Sequence, residues 1–358
     1  MKTPIVPFFI THRGCPHRCV FCNQDSIAGV ASAFPTAAEI VEKVDEYRRS
    51  GGAESVEVAF FGGSFTGLSR TDQERLLSPL QPLLASGAVS SVRVSTRPDT
   101  IDEETVFLLD SYGVRIVELG VQSMDDGVLE MSGRGHVAID VEKAVSCLKA
   151  CGFRVGIQLM PGLPGDTSRT SLTSLSRVLN LGPDFLRIYP TVVIEGTSLA
   201  KSYAEGAYRP LSLRAAVSLC KVMLHRSLVA GVPVIRVGLQ PTSELEREGV
   251  VVAGPFHPAF RQLVESELFF DLLSRLVADG NSDENGVTVC CAPSRVSDVI
   301  GQGRSNIRLL AERGVRVVAV RGDELLSPME IAVERYNGIR TGNILNDLHY
   351  TMEDAVHV

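Results

Sequence analysis

No apolar run in this sequence approaches the ~20 residues that a membrane-spanning helix needs, so no such span is expected. No secretory leader is expected either. Met1–Ile10 holds one Lys, a short apolar stretch and two prolines, with no small-residue cleavage site. A cytoplasmic location follows as the expectation. Positive charge is scarce: 35 Lys and Arg face 42 Asp and Glu, a net charge of −7 that speaks against a wholly basic nucleic-acid coat but leaves room for a local basic patch. There is no Trp, no fixed-period repeat and no low-complexity segment. With 44% hydrophobic and 22% charged residues, disorder, collagen and coiled coil are excluded. The 358 residues fit one barrel-sized domain with an appendage, or two ordinary domains.

Strand-like and helix-like stretches alternate through the first 240 residues. The spacing predicts strands at Ile5–Thr11, Ser55–Phe61, Val92–Ser95, Arg115–Leu119, Arg154–Leu159 and Phe185–Tyr189. Helices are predicted at Thr36–Arg49, with a Thr36/Glu39 capping box, and at Thr71–Leu84, Asp102–Tyr112, Ile139–Ala150, Ser168–Leu181 and Leu211–Val229. Such alternation with apolar strands implies parallel pairing with helices outside, and six units make a partial (β/α)6 barrel of TIM type. An open doubly wound sheet is the alternative. Either fold places a site at the C-terminal ends of the strands, where Gly14, Gly62, Gly63, Gly120, Pro98, Pro161 and Pro190 fall. Val232–Val237 reads as a further strand, and Ala259–Asp279 as a long helix ending in the polar turn Gly280–Gly286. The expected division is a barrel over residues 1–240, a connector over 241–283, a small α+β module over 284–322 and a helix with a loose tail over 323–358.

Eight cysteines are present, and in a cytosolic chain of this size they are not expected to form a disulfide framework. Three of them lie in the Cys-x3-Cys-x2-Cys loop Cys15-Pro-His-Arg-Cys19-Val-Phe-Cys22, directly after the first predicted strand. An iron–sulfur cluster is held by thiolates a few residues apart on a loop; three thiolates hold three irons of a [4Fe–4S] cube and leave the fourth open. A Cys3His zinc site using His12 or His17 is the competing reading. Cys147 and Cys151, four apart on a predicted helix, and Cys220 read as core; Cys290 and Cys291 point to opposite faces of a strand.

The cysteine loop resembles the signature of the radical S-adenosylmethionine (AdoMet) superfamily. Ala59-Phe-Phe-Gly62-Gly63-Ser64, Ser95-Thr-Arg97-Pro-Asp99, Val117-Glu-Leu-Gly-Val-Gln122-Ser123, Gly133-Arg134-Gly-His136, Leu159-Met-Pro-Gly-Leu-Pro-Gly165 and Arg187-Ile-Tyr-Pro-Thr191 are similar to elements of the Elongator catalytic subunit and its bacterial relatives. The resemblance covers residues 5–270 and leaves out the acetyltransferase domain, so the Elongator reaction itself is not implied. It implies that Cys15, Cys19 and Cys22 hold a [4Fe–4S] cluster, that AdoMet chelates the open iron, and that cleavage yields a 5′-deoxyadenosyl radical. It further implies AdoMet contacts from Phe21 on the adenine, from Gly62 and Gly63 on the methionine moiety, and from Ser95, Gln122 and Arg134. Arg97 could pair with the AdoMet carboxylate. Ser64 replaces the Glu usual in the family. No catalytic residue is assigned; His136 is read as a strut before an acid–base group, and Tyr189 as a substrate contact or a buried tyrosine.

Near the C-terminus, Val299-Ile-Gly301-Gln-Gly-Arg304-Ser-Asn-Ile307 between two short helices resembles a KH module, with Arg304 where the last Gly of the Gly-x-x-Gly loop belongs. Between residues 287 and 321 six arginines (295, 304, 308, 313, 316 and 321) face Asp298 and Glu312, against the acidic balance of the whole chain. The partners implied are tRNA through this module and an external electron donor, with no membrane. The leading function is radical AdoMet modification of a tRNA base. The alternatives are a radical AdoMet enzyme for a small molecule such as a tetrapyrrole, and a non-catalytic RNA-binding protein with a structural metal site.

Overall fold

The computed structural model of the chain describes residues 3–10, 13–23, 34–278 and 286–355. The chain forms two compact units, residues 1–210 with 240–254 and residues 211–239 with 255–358. These divide elsewhere than the expected boundaries at 240, 283 and 322.

The first unit is built on six parallel strands in sequential order: β1 (Ile5–Phe9), β2 (Val56–Phe61), β3 (Val89–Thr96), β4 (Val114–Gln122), β5 (Arg154–Leu159) and β6 (Phe185–Ile188). Sequential parallel order with a helix in each connection gives the curled partial barrel and not the doubly wound sheet, in which the order reverses. The connections hold α1 (Ala37–Gly51), α2 (Arg70–Leu77), α3 (Gln81–Ala85), α4 (Glu103–Ser111), α5 (Asp126–Met131), α6 (Ala138–Ala150) and α7 (Ser168–Asn180); α8 (Ser198–Ala204) follows β6. Local chemistry starts these helices. Thr36 caps α1 and its amide donates back to the Glu39 carboxylate, Asp102 caps α4, and Thr167 caps α7. The single helix expected over Thr71–Leu84 is instead α2, a 3-10 turn (Ser78–Leu80) and α3. Pro79 and Pro82 lack the amide hydrogens that a continuous helix would use.

Strand alternation divides each strand between two environments. Val6 and Phe8 of β1 are buried, and Lys43 of α1 stands over the Phe8 ring, so this face meets the helices. Ile5 and Phe9 on the other face are 39% and 49% exposed. Phe9 lies 6.2 Å from Phe61 of β2, over which the Arg187 guanidinium of β6 sits, so these residues line the barrel interior.

In the second unit, α9 (Leu213–Val229) and α10 (Phe260–Ala278) pack together through Lys221, which pairs with Asp271 at 2.6 Å and Glu267 at 3.4 Å. The predicted strand near 232–237 forms as Val234–Val237. A four-stranded sheet of order β8-β7-β9-β10 follows, with β7 (Val287–Cys291), β8 (Val317–Gly322), β9 (Glu330–Arg335) and β10 (Gly338–Asn343). β7 runs parallel to β8 and antiparallel to β9, and β9 antiparallel to β10. The helices α11 (Val296–Ile300) and α12 (Ser305–Glu312) connect β7 to β8, as the KH-like reading requires of the order of elements. Residues 323–355 hold a hairpin and short helical turns where one helix and a tail were expected. The β9–β10 hairpin adds to the sheet through β7, some forty residues earlier, and a pairing so distant has no local signal. Most of the predicted turn Gly280–Gly286, and Thr11 at the end of the first predicted strand, lie outside the described residues.

Of the remaining cysteines, Cys220 is fully buried, as expected, and Cys290 and Cys291 are buried. Cys151 is exposed and Cys147 half-buried, so the pair is not core; α6 ends at Ala150, and Cys151 already sits in its C-cap.

Gly156 of β5 is a fixed point of the barrel. A Cβ there would lie 2.2 Å from the Phe185 ring, which is 3% exposed. Gly156→Ala is expected to destabilise the chain by about 1–3 kcal/mol through overpacking, read as a lowered urea midpoint at unchanged m-value. An unchanged midpoint would show that the Phe185 ring has room to move.

Candidate active site

The cysteine loop leaves β1 and folds onto the turn after β2, backbone against backbone. Gly62 and Gly63 have φ of 71° and 51°, a left-handed region open to glycine, and a Cβ on Gly63 would meet the carbonyls of Arg13 and Ile10 at 2.4 and 2.5 Å. Gly14 and Gly67 interlock likewise: a Cβ on Gly14 would lie 2.1 Å from the Ser64 carbonyl, and one on Gly67 2.0 Å from that of Gly14. The Ser64 amide donates to the Arg13 carbonyl at 2.8 Å. Ser64 itself is fully buried, with its hydroxyl 3.3 Å from Cys15 Sγ. The residue that replaces the family Glu therefore faces the first cysteine.

The second wall comes from the turn after α5. Val20 N–H donates to the Ser132 carbonyl at 3.1 Å, and Gly133 and Gly135 bring that turn against Arg18 and the His17 ring. Arg134 is 5% exposed. Its Nη1 donates to Cys19 Sγ at 3.1 Å and its Nη2 to the Gly120 carbonyl, while Nε has no partner. A Cβ on Gly120 would lie 2.9 Å from Gln122 Nε2, so the end of that side chain would have to shift for any larger residue there, and 3.5 Å from Arg134 Nη2, an ordinary contact. Gln122 ends β4 at a φ of 72°, strained for a residue with a side chain, and its Oε1 accepts from Gln158 Nε2 at 3.0 Å.

Arg97 is 3% exposed. Its guanidinium donates to both Asp99 oxygens, at 2.9 Å from Nη2, and to the Arg134 carbonyl; Nη1 lacks a partner. Any AdoMet carboxylate contact from Arg97 would have to use that nitrogen. His136, 4% exposed, stands with Nδ1 3.8 Å from Asp99 Oδ1. Burial first, then the charges of Arg134 and Arg97, push its pKa down to about 3, against an opposing pull from Asp140. Neither ring nitrogen has a hydrogen-bond partner among the described residues, so the ring is not the hydrogen-bonded strut that the sequence suggested. Phe21 is half-buried within the cysteine loop, and Ser95 is half-buried on β3, level with Glu118 of β4. The structure thus joins Cys15 to Ser64 and Cys19 to Arg134, whose carbonyl Arg97 holds; Gln122 pairs with Gln158. Phe21 and Ser95 stand apart from those contacts.

Four charged residues inside the barrel carried no functional role in the sequence reading. Arg93 of β3 pairs with Glu57 of β2 at 2.6 Å and with Glu118 of β4 at 2.5 Å. Glu118 reaches past Gly156 to Arg187 of β6, whose Nε and Nη2 lie 2.7 and 3.0 Å from its two oxygens. Arg187 Nη1 donates to the Tyr189 hydroxyl at 3.0 Å. Burial works against both guanidinium charges, but the carboxylates more than offset it, and both pKa values stay above the ordinary arginine value. The available signal was a charged residue at the same phase of four otherwise apolar strands.

Cysteine thiolates and a guanidinium with no carboxylate are a donor set suited to an anionic, thiolate-bound cluster. Among the described residues no three His, Cys, Asp or Glu side chains are gathered to hold a single metal ion. A tetrahedral zinc site needs four such donors each about 2.0–2.3 Å from one ion; the thiolates of a cube instead bind separate irons. His12, one of the two candidate zinc ligands, lies outside the described residues.

A partial α/β barrel with three loop cysteines at the carboxyl edge of its strands, set against glycine turns from β2 and α5, is the arrangement of one class of enzyme. The chain belongs to the radical SAM superfamily: the superfamily model matches residues 9–172 and the Radical SAM C-terminal domain model residues 183–269. It is similar to an uncharacterised protein of Methanocaldococcus jannaschii, 29% identical over 60% of this chain and 69% of that one. It is also similar to proteins named tRNA uridine(34) acetyltransferase from Dehalococcoides mccartyi (28% identical; 55% of this chain, 50% of the other) and M. jannaschii (25%; 60% and 47%). The chain spans about half the length of these acetyltransferases. The solved archaeal Elp3 of Methanocaldococcus infernus shares the fold, with a TM-score of 0.58 at 22% identity over 74% of this chain and 62% of that one. No helix among the described residues is long and apolar enough to cross a membrane.

Two outcomes follow from this geometry. Glu118→Gln leaves Arg93 and Arg187 short of a carboxylate and is expected to cost about 3–5 kcal/mol in chemical denaturation; a loss below ~1 kcal/mol would mean that the ladder is not held as described. For His136 the folded pKa lies below the ordinary 6.5, so unfolding takes up a proton between pH 6.5 and about 3, and stability falls as the pH drops through that window. His136→Gln is expected to flatten the decline of melting temperature between pH 7 and 4.5. A slope equal to that of the wild type would place the ring in a different environment.

Proposed function

We propose that the chain is a radical AdoMet enzyme that binds a [4Fe–4S] cluster through Cys15, Cys19 and Cys22, binds AdoMet beside it, and modifies a tRNA base. Bound there, the two cofactors supply the reductive cleavage of the AdoMet sulfonium from which the chemistry of the superfamily starts. The chain's own residues bind, orient and shield. Gly62, Gly63 and Gly120 admit close backbone approach. The unpartnered Arg134 Nε and Arg97 Nη1 are polar atoms available to AdoMet, with Gln122 beside them.

The observation that carries the choice of substrate is the neutrality of the barrel interior. Glu57, Arg93, Glu118 and Arg187 consume one another's charge, and Phe9, Phe61, Gln158 and Tyr189 beside them are neutral. That lining suits a flat, uncharged, hydrogen-bonding ring. A tetrapyrrole carrying several carboxylates would need free cations, and the interior arginines are already paired. The similarity to proteins named tRNA uridine(34) acetyltransferases supports the same choice. For the rest of the tRNA we propose the second unit, where Arg304, at the N-cap of α12, and Arg308 within that helix are exposed, and Arg316 and Arg321 are exposed nearby in sequence. An external electron donor completes the system.

The test is anaerobic reconstitution with iron and sulfide, reduction, and quantification of 5′-deoxyadenosine. Production is expected to require Cys19, to be abolished in Cys19→Ala, and to rise with bulk tRNA. Production that ignores tRNA but rises with a tetrapyrrole would overturn the substrate. Filter retention of tRNA is expected to fall steeply with salt and to weaken at least tenfold in Arg304→Glu/Arg308→Glu. Equal retention by the double variant would remove α12 from the interface.

A further inference from the structure

Three arginines of the first unit are buried: Arg93, Arg97 and Arg134, at 8%, 3% and 5% exposure. Arg93 has Glu57 and Glu118, and Arg97 has Asp99. Arg134 has no carboxylate among the described residues. Its partners are a thiol sulfur, the Gly120 carbonyl and nothing at Nε. His136 beside it is buried and adds no compensating charge. A buried guanidinium without a counter-charge is unfavourable, and the negative group within its reach is Cys19 once that residue is a thiolate ligand.

The placement is fixed from several sides. The turn that carries Arg134 is bonded to the cysteine loop through Val20 and Ser132. The Arg134 carbonyl is held by Arg97, which Asp99 holds in turn. The Gly120 carbonyl accepts from the other end of the guanidinium.

We infer that Arg134 is a positioning residue for the cluster: its guanidinium is the built-in counter-charge of the thiolate set, and its N–H···S bond to Cys19 raises the cluster's reduction potential. This rests on the cluster reading above and adds to it a role for Arg134 that does not pass through AdoMet. A donor at a ligand sulfur withdraws electron density from the thiolate. A fixed positive charge nearby favours the more negative, reduced state. Hydrogen bonds to the sulfurs and local charge are established determinants of cluster potential.

The experiment is a potentiometric titration of the reconstituted full chain without AdoMet, followed by the electron paramagnetic resonance signal of the reduced cluster, for the wild type, Arg134→Gln and Arg134→Lys. Iron content is measured in parallel. The midpoint is expected to shift to more negative potential in Arg134→Gln and by a smaller amount in Arg134→Lys, which keeps the charge but loses the planar fork. A wild-type midpoint in Arg134→Gln at full iron content, with only AdoMet affinity reduced, would overturn the inference and return Arg134 to a pure AdoMet contact. Should Arg134→Gln hold no iron, the midpoint of Arg134→Lys decides: a negative shift supports the inference and an unchanged value overturns it. A wild-type chain that yields no cluster signal, like the Cys19→Ala control, would overturn the cluster reading and this inference together.

Discussion

The mouth of the barrel depends on backbone meeting backbone where β2 ends. Gly14 and Gly67 occupy each other's side-chain space, and Gly63 lies against two carbonyls of the segment that leads into the cysteine loop. Loops are usually held by side chains, which bend and swap rotamers. This one is held by main-chain contacts that have no such freedom. The positions of Cys15 and Ser64 follow from that seat. The turn bearing Arg134 then closes on the loop from the other side, and a third set of contacts, from Arg97 and Asp99, fixes that turn. A buried, partly unsatisfied polar group is retained only where the surroundings leave it no alternative. Arg134, Arg97 and the strained Gln122 cluster here for that reason.

Below the mouth the barrel interior is organised by charge. Two glutamates and two arginines from four strands form one connected ladder, and Glu118 serves two of its links. The ladder crosses β5 at Gly156, the position on that strand with no side chain to obstruct it. The same glycine accommodates Phe185, over which Arg93 sits. Packing and electrostatics are therefore coupled at one residue, and the four charges of the barrel interior are paired within it.

Local features were the most legible in the sequence. The Thr36/Glu39 capping box, the strand and helix alternation and the three-cysteine loop all depend on residues within a few positions of one another, and each appears in the structure where the sequence placed it. The broken helix at Pro79 and Pro82 was written in the sequence, since the prolines mark it, but apolar periodicity masked the break. The β9–β10 hairpin and the Cys19–Arg134 contact were not legible. The first pairs with a strand some forty residues away and the second joins residues 115 positions apart, and nothing in either segment names its partner. The ion ladder lies between these cases. Charges at one phase of apolar strands announce that something is buried, but not which arginine meets which glutamate.

The ladder also gives the barrel a particular response to heat. The cost of taking charges out of water falls as temperature rises, because their hydration becomes less favourable, while the gain per unit of apolar area levels off. The four-residue ladder therefore grows more favourable relative to the surrounding hydrocarbon packing on warming. The strands that it ties together, β2, β3, β4 and β6, gain cohesion relative to the rest of the unit, so the site above them keeps a firm floor when outlying helices begin to fray.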